Sequence, residues 1–401
     1  DTTAIDAAMR GDECPDLGEP NFDDAPPVED ADAIKPRRLN NGQPIHEVSH
    51  LLDETLGQRT REGKARIFRQ NGRLVHIVGK AGKDTAGIST VTHSSFPVLV
   101  SPFAIFFEEK DTKHGTKIVD LPACTQEFAK RFLSDAQKGQ STIPELTGIC
   151  TMPTIRPDGS IVEQAGYDEA SGLYLILDQK FPPVPESPSR EDARKALERL
   201  FFPISQFPFK DPASKAAYLS MLFNAVGRRA MRAAPAGLID APTMGTGKSL
   251  LTWIIGYLAT GKSVQSMTFP YSQNEQKKAI FAALLAGIAV LAFDNIDVPV
   301  KGAALCTAIT EEVYSDRILG VSETDSAPCG AIVVLNDNEV SVEADMCTRV
   351  IPCTLDAGVE DPHLRQFDLD VKEYVAEHRP RMVVDILTVI RAYQVSGERI
   401  P

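Results

Sequence analysis

The residues with the plainest chemistry are Pro242-Thr243-Met244-Gly245-Thr246-Gly247-Lys248-Ser249. Glycines in such a run let consecutive backbone N–H groups point at phosphate oxygens, and the helix that follows adds its positive end. Thr243, Met244, Gly245, Thr246, Gly247, Lys248, Ser249 and Leu250 are therefore the expected nucleotide-contacting residues. Lys248 is expected to reach the β- and γ-phosphates, and the Ser249 hydroxyl to hold Mg²⁺. Pro242 stands where this phosphate-loop pattern has its first glycine. The expected cofactors are ATP and Mg²⁺.

A phosphate loop also needs a carboxylate at the tip of a neighbouring strand. Ala289-Val290-Leu291-Ala292-Phe293-Asp294 has that form, and Asp294 is expected to share the Mg²⁺ with Ser249. The next residue is Asn295, which takes no proton at neutral pH. Either the water-activating base lies elsewhere, Asp297 being one option, or Asn295 only orients the water. A third strand ends Val334-Leu335-Asn336-Asp337-Asn338. A side-chain amide there can position the water and sense the γ-phosphate, and the sequence leaves Asn336 and Asn338 both open. Arg349 opens the next strand and suits stabilisation of transition-state charge from a neighbouring subunit. The catalytic candidates are thus Lys248, Asp294, Asn295, Asn336, Asn338 and Arg349.

The elements that must position these residues begin near 236. Apolar runs at 237–241, 264–269, 288–293, 331–335 and 350–355 alternate with helical patterns at 248–259, 274–286 and 302–314. Continuous apolar strands spaced by helices predict an α/β fold, a parallel sheet covered on both faces. This three-layer core is expected over 236–358, followed by a helical lid segment over 359–401, with its helix at 371–396. Before it, residues 45–180 predict an α+β domain, with a hairpin turned at Asn71-Gly72. Phe181-Pro182-Pro183-Val184-Pro185-Glu186-Ser187-Pro188 is too proline-rich for regular structure and predicts a linker over 181–190. Ser189 with Asp192 then predicts a capped helix in a helical connector over 191–235. Arg228, Arg229 and Arg232 are expected to face solvent.

Eleven Asp and Glu against Arg10 alone put −10 of the net −13 charge into residues 1–34, leaving −3 for the rest. An acidic, unstructured linker over 1–40 is the expectation, ahead of a near-neutral body that can carry a local basic stripe. The seven cysteines form no Cys-x-x-Cys pair, which argues against a zinc module and for a reducing cytoplasm. No apolar run reaches the ~20 residues of a membrane span, so no membrane is expected. The first residue, Asp1, suggests a fragment of a longer chain.

Taken in order, Asp294-Asn295, Arg317-Ile318-Leu319-Gly320, Asn336–Asn338, Asp345 and Arg349 resemble a known family. It is the AAA+-type, superfamily 3-like helicase module of primase-helicase proteins from phages, plasmids and integrated elements. Glu360-Asp361-Pro362, Leu364-Arg365-Gln366-Phe367 and Leu387-Thr388-Val389-Ile390-Arg391-Ala392-Tyr393 extend the likeness, as does Met152–Ser160 with Gly166-Tyr167-Asp168. The resemblance covers residues 45–401. It implies an AAA+-like P-loop ATPase in a homo-oligomeric ring, a hexamer, that translocates on single-stranded DNA and unwinds duplex during element replication in a bacterial host. It also implies a primase partner upstream and a DNA-contacting hairpin near 314–330, carrying Arg317, with Lys301 before it. Pro242 and Asn295 depart from the family pattern and put the catalytic base in doubt.

Two rival readings remain. One keeps the ATPase but drops unwinding, as in a remodelling or defence ATPase. The other starts from His46-Glu47-Val48-Ser49-His50, which matches a zinc-peptidase helix but lacks a third ligand at a recognisable spacing.

Overall fold

The computed structural model describes residues 35–79, 86–137, 141–317, 324–359, 361–362, 365 and 367–397. The acidic stretch 1–34, with Cys14, lies outside them. The described chain divides into two units, one of residues 35–148 with 166–174, the other of 149–165 with 175–397.

In the first unit, helix Ile45–Arg61 buries Val48, Leu52 and Leu56 at four-residue spacing. Strands Ile67–Gln70 and Arg73–Val78 form the expected hairpin, with Asn71 and Gly72 at φ +50° and +77°. Ala104–Thr112 pairs parallel with Arg37–Asn40 and antiparallel with Gly115–Asp120. Leu52, Leu56, Phe96, Phe128 and Phe132 fill the core.

The second unit carries α1 (Arg190–Phe201), α2 (Pro212–Gly227), β1 (Ala236–Ala241), α3 (Lys248–Thr260), β2 (Met267–Thr268), α4 (Gln273–Leu285), β3 (Val290–Asp294), α5 (Ala303–Thr310), β4 (Val313–Arg317), β5 (Thr324–Pro328), β6 (Ile332–Asn338), β7 (Val350–Thr354) and α6 (Val371–Ser396). The Ser189 side chain accepts from Asp192 N at 3.1 Å, and Asp192 accepts from Ser189 N at 2.8 Å, so the expected cap forms. Five parallel strands run in the order β2-β3-β6-β1-β7. Side chains alternate between the faces. Ile239, Val290, Ala292, Ile332 and Val334 pack with Leu251, Ile254 and Leu258 of α3. Leu238, Leu291, Phe293, Val333 and Leu335 pack with Ile280 and Leu284 of α4 and Leu305 of α5. The unit is therefore mixed α/β, with its parallel sheet covered on both faces.

Three expectations shift. The helix expected over 302–314 stops at Thr310, because Val313 and Tyr314 suit a strand and pair with Pro328 and Ala327. The strand expected over 264–269 shrinks to Met267–Thr268, since Val264 instead packs against Gly256 of α3. The helix expected as a lid, α6, lies in the main core, with Val375, Val383, Ile386 and Leu387 fully buried. Burial of this much apolar surface fixes it against α1 and α3 rather than leaving it free to open.

One buried charge anchors α3. The fully buried Arg379 of α6 pairs with Asp178 at 2.7 Å and donates to the carbonyls of Tyr257 and Leu258 at 3.0 and 3.1 Å. A cation there also suits the negative end of the α3 dipole. Replacing it as Arg379→Met leaves Asp178 and these carbonyls without their donor, and we predict a loss of about 3 kcal/mol, read from the urea midpoint.

Candidate functional site

β1 ends at Ala241, and residues 242–247 turn the chain into α3 at Lys248. This loop lies at the carboxyl ends of the parallel strands, where open α/β sheets bind ligands. Gly245 and Gly247 hold φ at +78° and +103°. At Gly247 a Cβ would also lie 2.8 Å from Cε1 of Phe207, so both backbone and space demand glycine. Gly247 provides no side-chain cap, which leaves the first N–H groups of α3 open to an anion. The Thr246 hydroxyl is buried without a hydrogen-bond partner.

Lys248 Nζ donates to Asn338 Oδ1 at 2.6 Å and to the Thr243 carbonyl at 3.5 Å. Burial pushes this ammonium below the ordinary lysine range, while Asp337, Asp240 and Asp294 act in the opposite direction. Asn336 Nδ2 donates to Ser249 Oγ at 3.4 Å, and its Oδ1 is buried with no partner. Both asparagines reach α3 because β6 runs on to Asn338, and residues two apart on a strand share a face. Asp294 lies level with Asn336 on the adjacent parallel strand and so faces α3 as well. Its Oδ1 accepts from Asn295 N at 2.9 Å. Asn295 itself is exposed and left-handed, with φ +53°.

Two carboxylates missed by the sequence reading brace this edge. Asp337 accepts the Ile296 N–H and, at 2.7 Å, that of Asn338. Asp240 accepts from Val340 N at 3.2 Å. Strand alternation was the available signal, since it turns both away from the α3 face. Beyond β3, Tyr271 Oη donates to Asp297 Oδ2 at 2.9 Å.

Arg349 is not part of this cluster. Its carbonyl accepts from Ala236 N at 2.9 Å, at the amino ends of β1 and β7. Five strand steps of ~3.3 Å separate it from the loop, about 17 Å, beyond the reach of its side chain. Its Nη1 donates to the Asp345 carbonyl at 2.7 Å, and its Nε is buried without a partner.

β4 and β5 form an antiparallel hairpin directly before β6, with Arg317 opposite Thr324. The Arg317 side chain is exposed and makes no ion pair among the described residues. Its neighbour Asp316 pairs with Lys277 at 2.8 Å. Residues 318–320, expected in the hairpin motif, lie outside the described residues. Lys301 pairs with Glu343 at 2.8 Å. The basic cluster expected to face solvent does so only in part. Arg228 is buried and donates to the carbonyls of Met231, beyond α2, and of Cys329 and Ala331, in the turn into β6. Arg232 is exposed and pairs with Glu312 at 2.6 Å.

The zinc-peptidase motif lies on helix Ile45–Arg61, where His46 and His50 are exposed and His50 sits 3.5 Å from Glu54. Among the described residues no group of three His, Cys, Asp or Glu side chains is placed to hold a metal ion. The six described cysteines are free thiols, and burial pushes that of Cys353 up to about 12. No helix among the described residues is long and apolar enough to cross a membrane.

The strain that a side chain would bring to position 247 makes a sharp test. Gly247→Ala is expected to cost at least about 1 kcal/mol of stability and to weaken binding of nucleoside triphosphate, measured by chemical unfolding and by calorimetry.

No protein-family model matches the chain, and no curated protein matches it either. Among solved structures it is similar to the A-form apo structure of the NrS-1 C-terminal region. That likeness has 13% identity and a TM-score of 0.40, over 85% of this chain and 68% of that one. It is also similar to the apo A form of the same region spanning 305–718, at 12% identity and TM-score 0.36, over 81% of this chain and 73% of that one.

Proposed function

We propose that this chain is the motor module of a ring-forming DNA helicase, with a P-loop that binds and hydrolyses ATP. The observation that carries the reading is the double contact between α3 and β6: Lys248 with Asn338, Ser249 with Asn336. Asp294 lies level with Asn336 on the same face. A lysine, a hydroxyl, a carboxylate and two amides thus gather around a glycine-turned loop at the mouth of a parallel sheet.

The donors suit the expected ligands. Ser249 Oγ and an Asp294 oxygen are hard donors of the kind Mg²⁺ takes. When bound, that ion neutralises charge on the β- and γ-phosphate oxygens. The unpartnered Thr246 hydroxyl and Asn336 carbonyl oxygen are polar groups without a protein partner, as expected at the edge of a ligand site. Lys248, already desolvated, would exchange Asn338 for phosphate. Asn336 and Asn338 are then placed to orient water and to register the loss of the γ-phosphate.

Arg349 supports assembly, because it is too far from its own loop to act there and faces the opposite edge of the sheet. In a ring that edge meets the nucleotide of the next subunit. The hairpin that carries Arg317 supports the DNA reading, since a ring repeats that exposed charge once per subunit along a phosphate backbone. Lys301, held by Glu343, supports it less.

Lys248→Ala is expected to cut ATP turnover at least about a hundredfold with circular dichroism unchanged; full turnover in that variant sinks the assignment. Arg349→Ala is expected to keep nucleotide binding and lose turnover. Mixed with Lys248→Ala, it should regain activity above either variant alone, because each mixed interface can pair an intact loop with an intact arginine. Absence of that complementation in assembled rings contradicts the trans role.

A further inference from the structure

We propose that Asp297, held by the Tyr271 hydroxyl, takes the proton of the attacking water, in place of the amide at position 295. This rests on the ATPase reading above and adds the base that reading lacks. A census of the carboxylates on the loops after β1, β3 and β6 carries the argument. Asp240 is occupied by the Val340 N–H, and Asp337 by those of Ile296 and Asn338. Glu343 is paired with Lys301, and Asp294, level with Asn336 on the α3 face, is the carboxylate assigned to the metal under the proposed function. Asp345 adjoins Arg349 at the amino ends of the strands, which leaves Asp297 and Glu339. Asp297 alone is oriented: its Oδ2 accepts from Tyr271 at 2.9 Å, while its Oδ1 has no hydrogen bond among the described residues. A general base acts from a held position, with one side fixed by a third group.

The local backbone explains how a residue three places beyond Asp294 reaches this role. Asn295 takes a left-handed turn at φ +53°, and the Ile296 N–H is fastened to Asp337 across on β6. Beyond that turn Asp297 meets Tyr271, which follows β2, the strand beside β3. Both side chains are exposed, on the segments that follow the carboxyl ends of β2 and β3. In the step, the water oxygen bonds to the γ-phosphorus as the bond from that phosphorus to the bridging oxygen breaks. The electron pair stays on the ADP oxygen, and the water proton passes to Asp297 Oδ1. Tyr271 is a positioning residue that keeps Oδ1 turned outward by holding Oδ2.

The test compares steady-state hydrolysis by the full chain with Asp297→Asn, Asp297→Ala, Tyr271→Phe and Glu339→Gln. Asp297→Asn is expected to keep MgATP binding and lower kcat about a hundredfold or more. Added sodium formate should restore part of the turnover of Asp297→Ala and none to Lys248→Ala, an effect no purely structural role produces. Tyr271→Phe should lower kcat several-fold with KM for ATP unchanged, and Glu339→Gln should hydrolyse as wild type does. Full turnover in Asp297→Asn, or loss in Glu339→Gln alone, overturns the proposal while leaving the ATPase reading intact. A wild-type chain that hydrolyses no ATP overturns both.

Discussion

The parallel pairing of β6 with β1 is the constraint on which the rest of this structure depends. It sets Asn336 level with Ile239 and Asn338 level with Ala241, the last residue before the phosphate loop. Because the pleat has a period of two, both amides then face α3, and the first two side chains of that helix meet them. A slip of one residue would turn the asparagines to the α4 face and present Asp337 to Lys248 instead. The apolar residues upstream forbid that slip, since Val333 and Leu335 on one face, and Ile332 and Val334 on the other, are all buried in separate cores. Site geometry is thus enforced by hydrophobic register several residues away.

The aim of α3 is fixed from both ends. Phe207 and the left-handed Gly247 set where it starts, and Gly261, also left-handed at φ +68°, sets where it stops. Arg379 closes the far end by satisfying carbonyls that a helix terminus leaves open. The result is a helix whose positive end is held at the mouth of the sheet. Its orphan N–H groups and the desolvated Lys248 ammonium make that end attractive to an anion with little rearrangement.

Much of this was legible in the sequence, for reasons that differ by residue. The loop, the strand ending at Asp294 and the cap at Ser189 are local patterns whose chemistry is written in consecutive residues. The choice between Asn336 and Asn338 was not legible, because it depended on how far β6 extends and on which face meets α3. Asp240, Asp337 and the Tyr271–Asp297 pair were hidden for a similar reason: each joins residues far apart in sequence. The fate of α6 was misread because an amphipathic helix near the end of a chain looks alike whether it covers a site or fills a core. The burial of Arg379 and Arg228 also escaped notice, since nothing local distinguishes an arginine that collects distant carbonyls from one that faces water.

The proposed function requires that the loop at 242–249 turn over ATP in response to DNA. Steady-state hydrolysis by the purified chain, with and without single-stranded DNA, measures this most directly. The account predicts Mg²⁺-dependent hydrolysis that rises when single-stranded DNA is added and falls back as salt screens the phosphates. Hydrolysis indifferent to DNA at every salt concentration would contradict the helicase reading, and no hydrolysis at all would contradict the assignment of the loop.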